Sequence, residues 1–236
     1  MNLAQIKVSH GKLKVIALVG RPGTGKTTIA KRVADEIGAD LYFFDNPFLG
    51  LYNAHPEIVH AITGVYPEIN DPNFNFLDFH RLNVCKSQET FLNYRNEAIK
   101  FMELRLCEEL QKRLIYTEKT PESAFQSEFV HEAQKNTIVV ESFTPGRNIL
   151  KNADMIYKLS TFPQKLAFNA VLKREHKIPM EKMLPILSVA DAVSDKTLNE
   201  DLCGLEYTQL PNNHEPDTKM KIVSRIVDDY KIRQAR

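Results

Sequence analysis

The chain of 236 residues has no tryptophan and few residues that bind zinc or form disulfides. Its three cysteines, Cys85, Cys107 and Cys203, are far apart and have no C-x-x-C spacing. The seven histidines form neither an H-x-x-x-H nor an H-E-x-x-H pair. These absences exclude the common zinc motifs and a disulfide framework, and they indicate thiols kept in a reducing compartment.

An excess of one charge and a long apolar run are also missing. Lys and Arg total 31 against 30 for Asp and Glu, a formal net charge of +1. With so little net charge, the protein has no overall electrostatic potential that would attract nucleic acid or an anionic membrane. No run of ~18 apolar residues could span a bilayer, and the start has no apolar signal region. We expect a cytoplasmic protein with neither nucleic acid nor membrane as a partner; the oligomeric state is left open.

The first elements predict a doubly wound α/β fold. Leu13 to Val19 is a nearly continuous apolar run, typical of a buried parallel strand. A glycine-rich turn follows, and then Lys26 to Ile37 carries one apolar helical stripe that ends at Gly38. Residues 41–44 form a second strand, completing a β-α-β start.

Later segments predict three more strands, at 137–141, 155–159 and 205–210, and a closing helix at 217–232. The whole chain is predicted to be one domain with a three-layer P-loop NTPase fold, a mainly parallel five-stranded sheet and an inserted helical subdomain. The core covers about 11–45, 136–173 and 204–236, the acceptor-binding insertion about 46–135, and a lid-like segment about 174–203.

Within the insertion, the X-Pro dipeptides of residues 46–84 predict no long regular element. Ser87 caps a long helix that ends near residue 115, and Thr120-Pro121 starts another. Further helices are expected over 162–174 and, interrupted at Leu184-Pro185, over 180–202.

The strongest motif is the glycine-rich turn, which matches the Walker A pattern G-x-x-x-x-G-K-[ST]. It reads Gly20, Arg21, Pro22, Gly23, Thr24, Gly25, Lys26 and Thr27, with Thr28 next. Glycines let backbone N–H groups turn toward phosphate oxygens, and the following helix adds its N-terminal dipole. Lys26 is expected on the β- and γ-phosphates of ATP and Thr27 on Mg²⁺. The competing interpretation is a glycine turn with a surface lysine.

Two carboxylates end predicted strands at the edge where ligands of open α/β sheets bind. Asp45 could accept the proton of an acceptor hydroxyl or hold metal-bound water, or it could simply cap a turn before Asn46-Pro47. Glu141 has the position of a Walker B acid that meets Mg²⁺ through water, and a salt bridge at the sheet rim is its alternative.

Phosphoryl transfer also needs positive charge beside the transferred group, and two arginines are candidates. Arg174 lies in a basic helix end, where it could equally stabilise the helix dipole. Arg147 follows the third strand. Aromatic and histidine side chains of the insertion could line an acceptor pocket or pack a small subdomain: Phe48, Tyr52, His55, His60, Tyr66, Phe74, Phe76 and His80.

The order of these elements resembles the dephospho-coenzyme A kinase branch of the nucleotide-kinase-like P-loop proteins. The matching stretches are Val19 to Thr28, Phe43-Phe44-Asp45, Ala153 to Ile156, and Leu205 to Tyr230. The resemblance implies a P-loop kinase fold, Mg²⁺ and ATP as cofactors, and dephospho-coenzyme A as acceptor. The family's Asp-x-Asp stands here as Asp45-Asn46-Pro47, so its second acid is missing.

The resulting prediction is a P-loop kinase that transfers phosphate from Mg·ATP to a hydroxyl group of a small metabolite, with dephospho-coenzyme A or a related nucleotide as the first candidate. Two other classes stay open. One is a nucleotide-binding regulatory module with little or no turnover, and the other is a nucleotide-gated interaction protein that uses the aromatic insertion as its partner surface.

Overall fold

The fold is seen in a computed structural model that describes residues 2–9, 13–117, 136–161, 193 and 195–235. The expected helix at Thr120-Pro121, the expected helix over 162–174 with Arg174, and the first part of the one over 180–202 lie outside the described residues. Residues 195–202, which close that last expected helix, are helical.

Five strands form one sheet in which every neighbouring pair is parallel. They are β1 (Lys14–Val19), β2 (Asp40–Phe43), β3 (Thr137–Ser142), β4 (Met155–Ser160) and β5 (Thr208–Pro211). The spatial order is β2-β3-β1-β4-β5. The predicted α/β fold with a five-stranded parallel sheet is therefore confirmed, although the last strand begins three residues later than expected.

Helices cover the sheet. They are α1 (Leu3–Ser9), α2 (Lys26–Ile37), α3 (Asp45–Ala54), α4 (Pro56–Thr63), α5 (Phe76–Phe79), α6 (Gln88–Thr117), α7 (Arg147–Lys151) and α8 (Pro216–Gln234). A π-helical turn (His80–Val84) follows α5. Among the described helices, none is both long enough and apolar enough to cross a membrane.

The central strand β1 is buried on both faces, which gives the molecule its three layers. Ile16 and Leu18 pack with α2 and α8 on one face. Val15 belongs to the core on the other face, which contains α3 and α6. A strand covered on both sides has no polar face to present, so its sequence is apolar throughout rather than alternating.

The segment after β2 is more regular than the sequence predicts. The sequence predicts no long regular element over 46–84, and the helices there are short, but α3 and α4 occupy most of its first half. Pro47 is the third residue of α3. The N–H groups of a helix's first turn have no partner within the helix, so a proline there removes no hydrogen bond.

Candidate nucleotide site

The turn between β1 and α2 has the backbone of a phosphate-binding loop. Gly20, Gly23 and Gly25 have φ values of 151°, 85° and 84°. A Cβ atom at residue 20 would lie 2.4 Å from the carbonyl oxygen of Leu159 at the end of β4. Only glycine combines these dihedral angles with so close an approach, so the three glycines of the motif are needed for the shape of the loop.

The N-terminus of α2 is open toward that loop. Gly25 is the N-cap, no side chain caps the first turn, and that turn contains no acidic residue. The Thr24 hydroxyl is turned away to the loop itself, where it donates to the Arg21 carbonyl oxygen at 2.9 Å. The uncapped N–H groups and the helix dipole favour an anion at this position.

Lys26 brings the positive charge of the site, and its side chain is only 5% exposed. Its Nζ lies 3.4 Å from Oε1 of Glu141, whose side chain is 2% exposed, and donates to the Arg21 carbonyl oxygen at 3.2 Å. Glu141 reaches the loop because β3 lies beside β1, with Glu141 opposite Leu18. The lysine and the acid thus form a buried pair at the carboxyl edge of the sheet.

Two side chains near this edge, those of Thr27 and Glu141, carry oxygen groups of the kind that Mg²⁺ binds. Thr27 is exposed at the start of α2, and Glu141 supplies a carboxylate. Within the described parts of the chain, no group of three or more His, Cys, Asp or Glu side chains is arranged to hold a metal ion alone. Mg²⁺ prefers few protein ligands and completes its shell with water and substrate phosphates, so a hydroxyl and a carboxylate suffice.

Asp45 lies at the same edge by the course of its backbone. Phe43 is opposite Glu141 in the pairing of β2 with β3, and the Phe44 N–H donates to the Glu141 carbonyl oxygen at 3.0 Å. Asp45 is the next residue and the first of α3. The backbone therefore places Asp45, Glu141 and the loop along one side of the sheet, although Asp45 begins α3 and does not end β2 as predicted.

Comparison with known proteins agrees with this geometry. Residues 16–65, from β1 to just past α4, match the model of the ATPase family associated with various cellular activities (AAA). The chain has a P-loop α/β fold. No curated protein matches it in sequence.

Three solved structures align with nearly the whole chain. TT1252 from Thermus thermophilus is 11% identical, with a TM-score of 0.57 over 92% of this chain and 97% of that one. Dephospho-CoA kinase from Campylobacter jejuni is 13% identical, with a TM-score of 0.45 over 92% and 97%. Shikimate kinase from Acinetobacter baumannii is 14% identical, with a TM-score of 0.42 over 94% and 98%. The likeness to TT1252 is one of fold.

Of the two arginine candidates, only Arg147 is described. It begins α7, and its guanidinium donates to the carbonyl oxygens of Glu200 and Asp201 at 3.1 and 3.2 Å. These bonds satisfy the last carbonyl groups of the helical residues 195–202, which is a structural role. A catalytic role for Arg147, like one for Arg174, stays a prediction.

A buried arginine that the sequence analysis did not single out, Arg95, contacts the loop that follows Glu141. Arg95 of α6 donates through Nε to the Thr144 hydroxyl at 2.5 Å and through Nη2 to the Asp201 carboxylate. Burial lowers the pKa of Arg95 and raises that of Asp201, while each opposite charge acts the other way. No sequence signal pairs residues that are 106 positions apart, so only the fold reveals this contact.

The aromatic residues of the insertion pack mainly against each other. Tyr52 is fully buried, stacks on Tyr94 with ring centroids 5.3 Å apart, and shares a 2.5 Å hydrogen bond with Nδ1 of His80. Loss of water around the imidazole, aided by Arg81, lowers the pKa of His80 to about 3. His80 is therefore neutral, and for Tyr52 and His80 the structure favours core packing over an acceptor pocket.

Proposed function

We propose that this protein is a Mg²⁺- and ATP-dependent phosphotransferase that acts on a hydroxyl group of a small metabolite. The observation that carries the proposal is the buried Lys26–Glu141 pair beside an uncapped helix N-terminus in a loop of Walker A sequence. Dephospho-coenzyme A or a related nucleotide is the first candidate acceptor, on the sequence resemblance. The free state of all three cysteines supports the expected cytoplasmic location.

Each site residue has a definite task in this proposal. The backbone N–H groups of residues 20–27 and Lys26 hold the phosphates of ATP, and Thr28 continues the first turn of α2. Thr27 and Glu141 would hold Mg²⁺, which would supply positive charge against the phosphates. Lys26 Nζ, 3.4 Å from Glu141 Oε1, would then have phosphate oxygens as its partners.

The acceptor approaches from the side of β2. Asp45 begins α3, the first helix of the proposed acceptor-binding insertion at about 46–135, and takes the proton of the attacking hydroxyl. Arg147 or Arg174 neutralises charge that develops on the transferred group. A lid role for the segment at about 174–203 stays a prediction. A long insertion has no evident purpose in a protein that only senses ATP, which favours a kinase over a regulatory module.

Nucleotide binding is tested first by thermal unfolding with and without millimolar Mg·ATP. A ligand bound only by the folded state at a hundredfold excess over Kd adds ~2.7 kcal/mol to the free energy of unfolding, so Tm should rise. Lys26→Met, compared with its own ligand-free Tm, should lose most of the rise. Arg32→Ala removes an exposed cation of the same helix and should keep it. An unchanged wild-type Tm would refute nucleotide binding.

Turnover is tested by ADP release with a panel of hydroxyl compounds that includes dephospho-coenzyme A, nucleosides and sugars. We expect at least one acceptor to raise the rate well above hydrolysis in water. Asp45→Asn should then lower the rate by about 10²- to 10⁴-fold with little change in ATP affinity. If no acceptor accelerates ADP release while ATP and ADP bind with different affinities, the regulatory module is the correct function.

A further inference from the structure

Asn212, the residue directly after β5, is bound to the P-loop. It is 1% exposed, and its Nδ2 donates to the Thr24 carbonyl oxygen at 2.8 Å, across 188 positions of sequence. A Cβ atom on Gly25 would lie 2.6 Å from this Nδ2. The side-chain amide therefore lies directly against the peptide that joins Thr24 to Gly25, and the absence of a side chain at residue 25 makes the approach possible.

The other groups of Asn212 fix its own position. Its Oδ1 accepts from the His214 N–H at 2.9 Å, and its backbone N–H donates to the Ser160 carbonyl oxygen at the end of β4, at 2.7 Å. His214 adopts a φ of 69°, which is uncommon for a residue with a side chain. One buried amide thus joins the P-loop, the end of β4 and the turn before α8.

The direction of the Asn212 bond determines the direction of a phosphate-binding group. In a planar trans peptide the C=O of one residue and the N–H of the next point to opposite sides. Holding the Thr24 carbonyl oxygen against Asn212 therefore aims the Gly25 N–H away from Asn212. Without the amide, rotation of this one peptide would turn a carbonyl dipole toward the phosphate, and glycine at residue 25 opposes such a rotation little.

We propose that Asn212 is a positioning residue for the nucleotide: it does not touch the ligand but holds the Thr24–Gly25 peptide in the orientation that binds phosphate. This inference rests on the proposed function. It assigns to the end of β5 a task in phosphate binding, which the Walker A pattern does not contain. Inorganic tripolyphosphate is the appropriate probe, because the effect concerns the phosphate chain alone.

The test measures Kd for Mg·ADP and for tripolyphosphate by calorimetry, well below the Tm of each protein. Asn212→Asp keeps the size and the acceptor for His214 but replaces the donor with an oxygen that faces the Thr24 carbonyl oxygen. Asn212→Ala removes both groups. An unsatisfied buried carbonyl and a misdirected peptide should weaken both ligands about tenfold. Asn152→Ala is the matched control. The side-chain amide of Asn152 donates a 2.8 Å hydrogen bond to the Asn148 carbonyl oxygen, away from the loop.

The outcomes separate this inference from the function on which it rests. Wild-type protein that binds neither ligand refutes nucleotide binding and the inference together. Wild-type binding with unchanged Kd in folded Asn212 variants overturns the positioning role alone. If both variants fail to fold while Asn152→Ala folds, Asn212 serves the fold and the positioning role is likewise overturned. If Mg·ADP and tripolyphosphate bind more weakly to the Asn212 variants but not to Asn152→Ala, the positioning role is supported.

Discussion

At the scale of single residues, the molecule keeps several ionisable groups away from water. Lys26 and Glu141 share one buried site, and each compensates the charge of the other. Removal of one partner leaves an uncompensated buried charge, which is strongly destabilising. For this reason the effect of a Lys26 variant on ligand binding must be read from the shift in Tm rather than from Tm itself.

His80 should make folding stability depend on pH. Its pKa falls from the ordinary 6.5 to about 3 because the ring loses water among aromatic side chains. Below pH ~6.5 the His80 imidazole is protonated in the unfolded chain but stays neutral in the folded protein. The free energy of unfolding therefore decreases as pH falls from 6.5 toward 3. At pH 5 the difference reaches about 2 kcal/mol. Urea unfolding of wild type and His80→Gln at several pH values measures it.

The control for His80 is a histidine whose side chain is more exposed to solvent. His55 has a side chain that is 44% exposed and is paired with Glu57 at 3.2 Å. His55→Gln should keep the loss of stability between pH 6.5 and pH 3 that His80 causes, because His80 is still present. If the difference in unfolding free energy between wild type and His80→Gln does not change between pH 7 and pH 5, the imidazole is not shielded from protons.

At the scale of elements, the insertion contains a helix with a weak point. Gly50 lies within α3 and has no positive φ, and a Cβ atom there would lie 3.8 Å from the Phe101 ring. That distance is ordinary van der Waals contact. Glycine in a helix interior is destabilising relative to alanine, because more backbone freedom is lost on folding. Among the described residues, no packing contact of α3 requires the glycine.

Gly50→Ala should therefore stabilise the protein by about 0.5–1 kcal/mol. The measurement is chemical unfolding, with α3 helicity checked by circular dichroism. Gly64→Ala is the matched control at the end of α4, where φ is 78° and the space is equally open. There the left-handed backbone should make alanine destabilising by about 1 kcal/mol. The same sign for both substitutions would contradict the backbone explanation.

At the scale of the whole molecule, one buried ion pair connects parts of the chain that are far apart in sequence. Arg95 of α6 contacts Thr144 in the loop after β3 and Asp201 in the helical residues 195–202. The side chains of Arg95 and Asp201 are 8% and 13% exposed. Helix α6 is thereby tied both to the loop that follows Glu141 and to the helical residues 195–202.

Breaking this pair should be costly. Arg95→Met or Asp201→Asn alone should destabilise the protein by about 3–5 kcal/mol, because the remaining partner stays buried. The double variant should lose less than the sum. Urea unfolding of the wild type, the two single variants and the double variant measures the coupling free energy between Arg95 and Asp201. Arg225→Met breaks a pair with Asp229 in which the arginine side chain is 64% exposed, and it should cost at most about 0.5 kcal/mol. Additive losses for Arg95 and Asp201 would show that their contact is energetically unimportant.

The sequence was sufficient wherever the cause is local. We could predict the phosphate-binding loop from its glycines at 20, 23 and 25, and β1 from its apolar run. Each of these depends only on the conformation or burial of a few consecutive residues. The bounds of α2, Lys26–Ile37, agree with the prediction for the same reason: an apolar stripe and a glycine stop. The parallel order of the sheet follows from alternating strands and helices. Asp45 and Glu141 were placed at the sheet edge because parallel strands all end on one side.

Other features depend on contacts between distant segments, and only the tertiary structure decided them. Residues 45–54 and 56–63 are helical and pack on α6, with Pro47 and Pro56 in first turns, where proline is tolerated. The bonds from Asn212 to Thr24 and from Arg95 to Asp201 join residues more than a hundred positions apart. Short-range patterns of apolar and turn residues determine which elements form. Burial determines which polar groups must meet, and burial exists only once the elements are packed together.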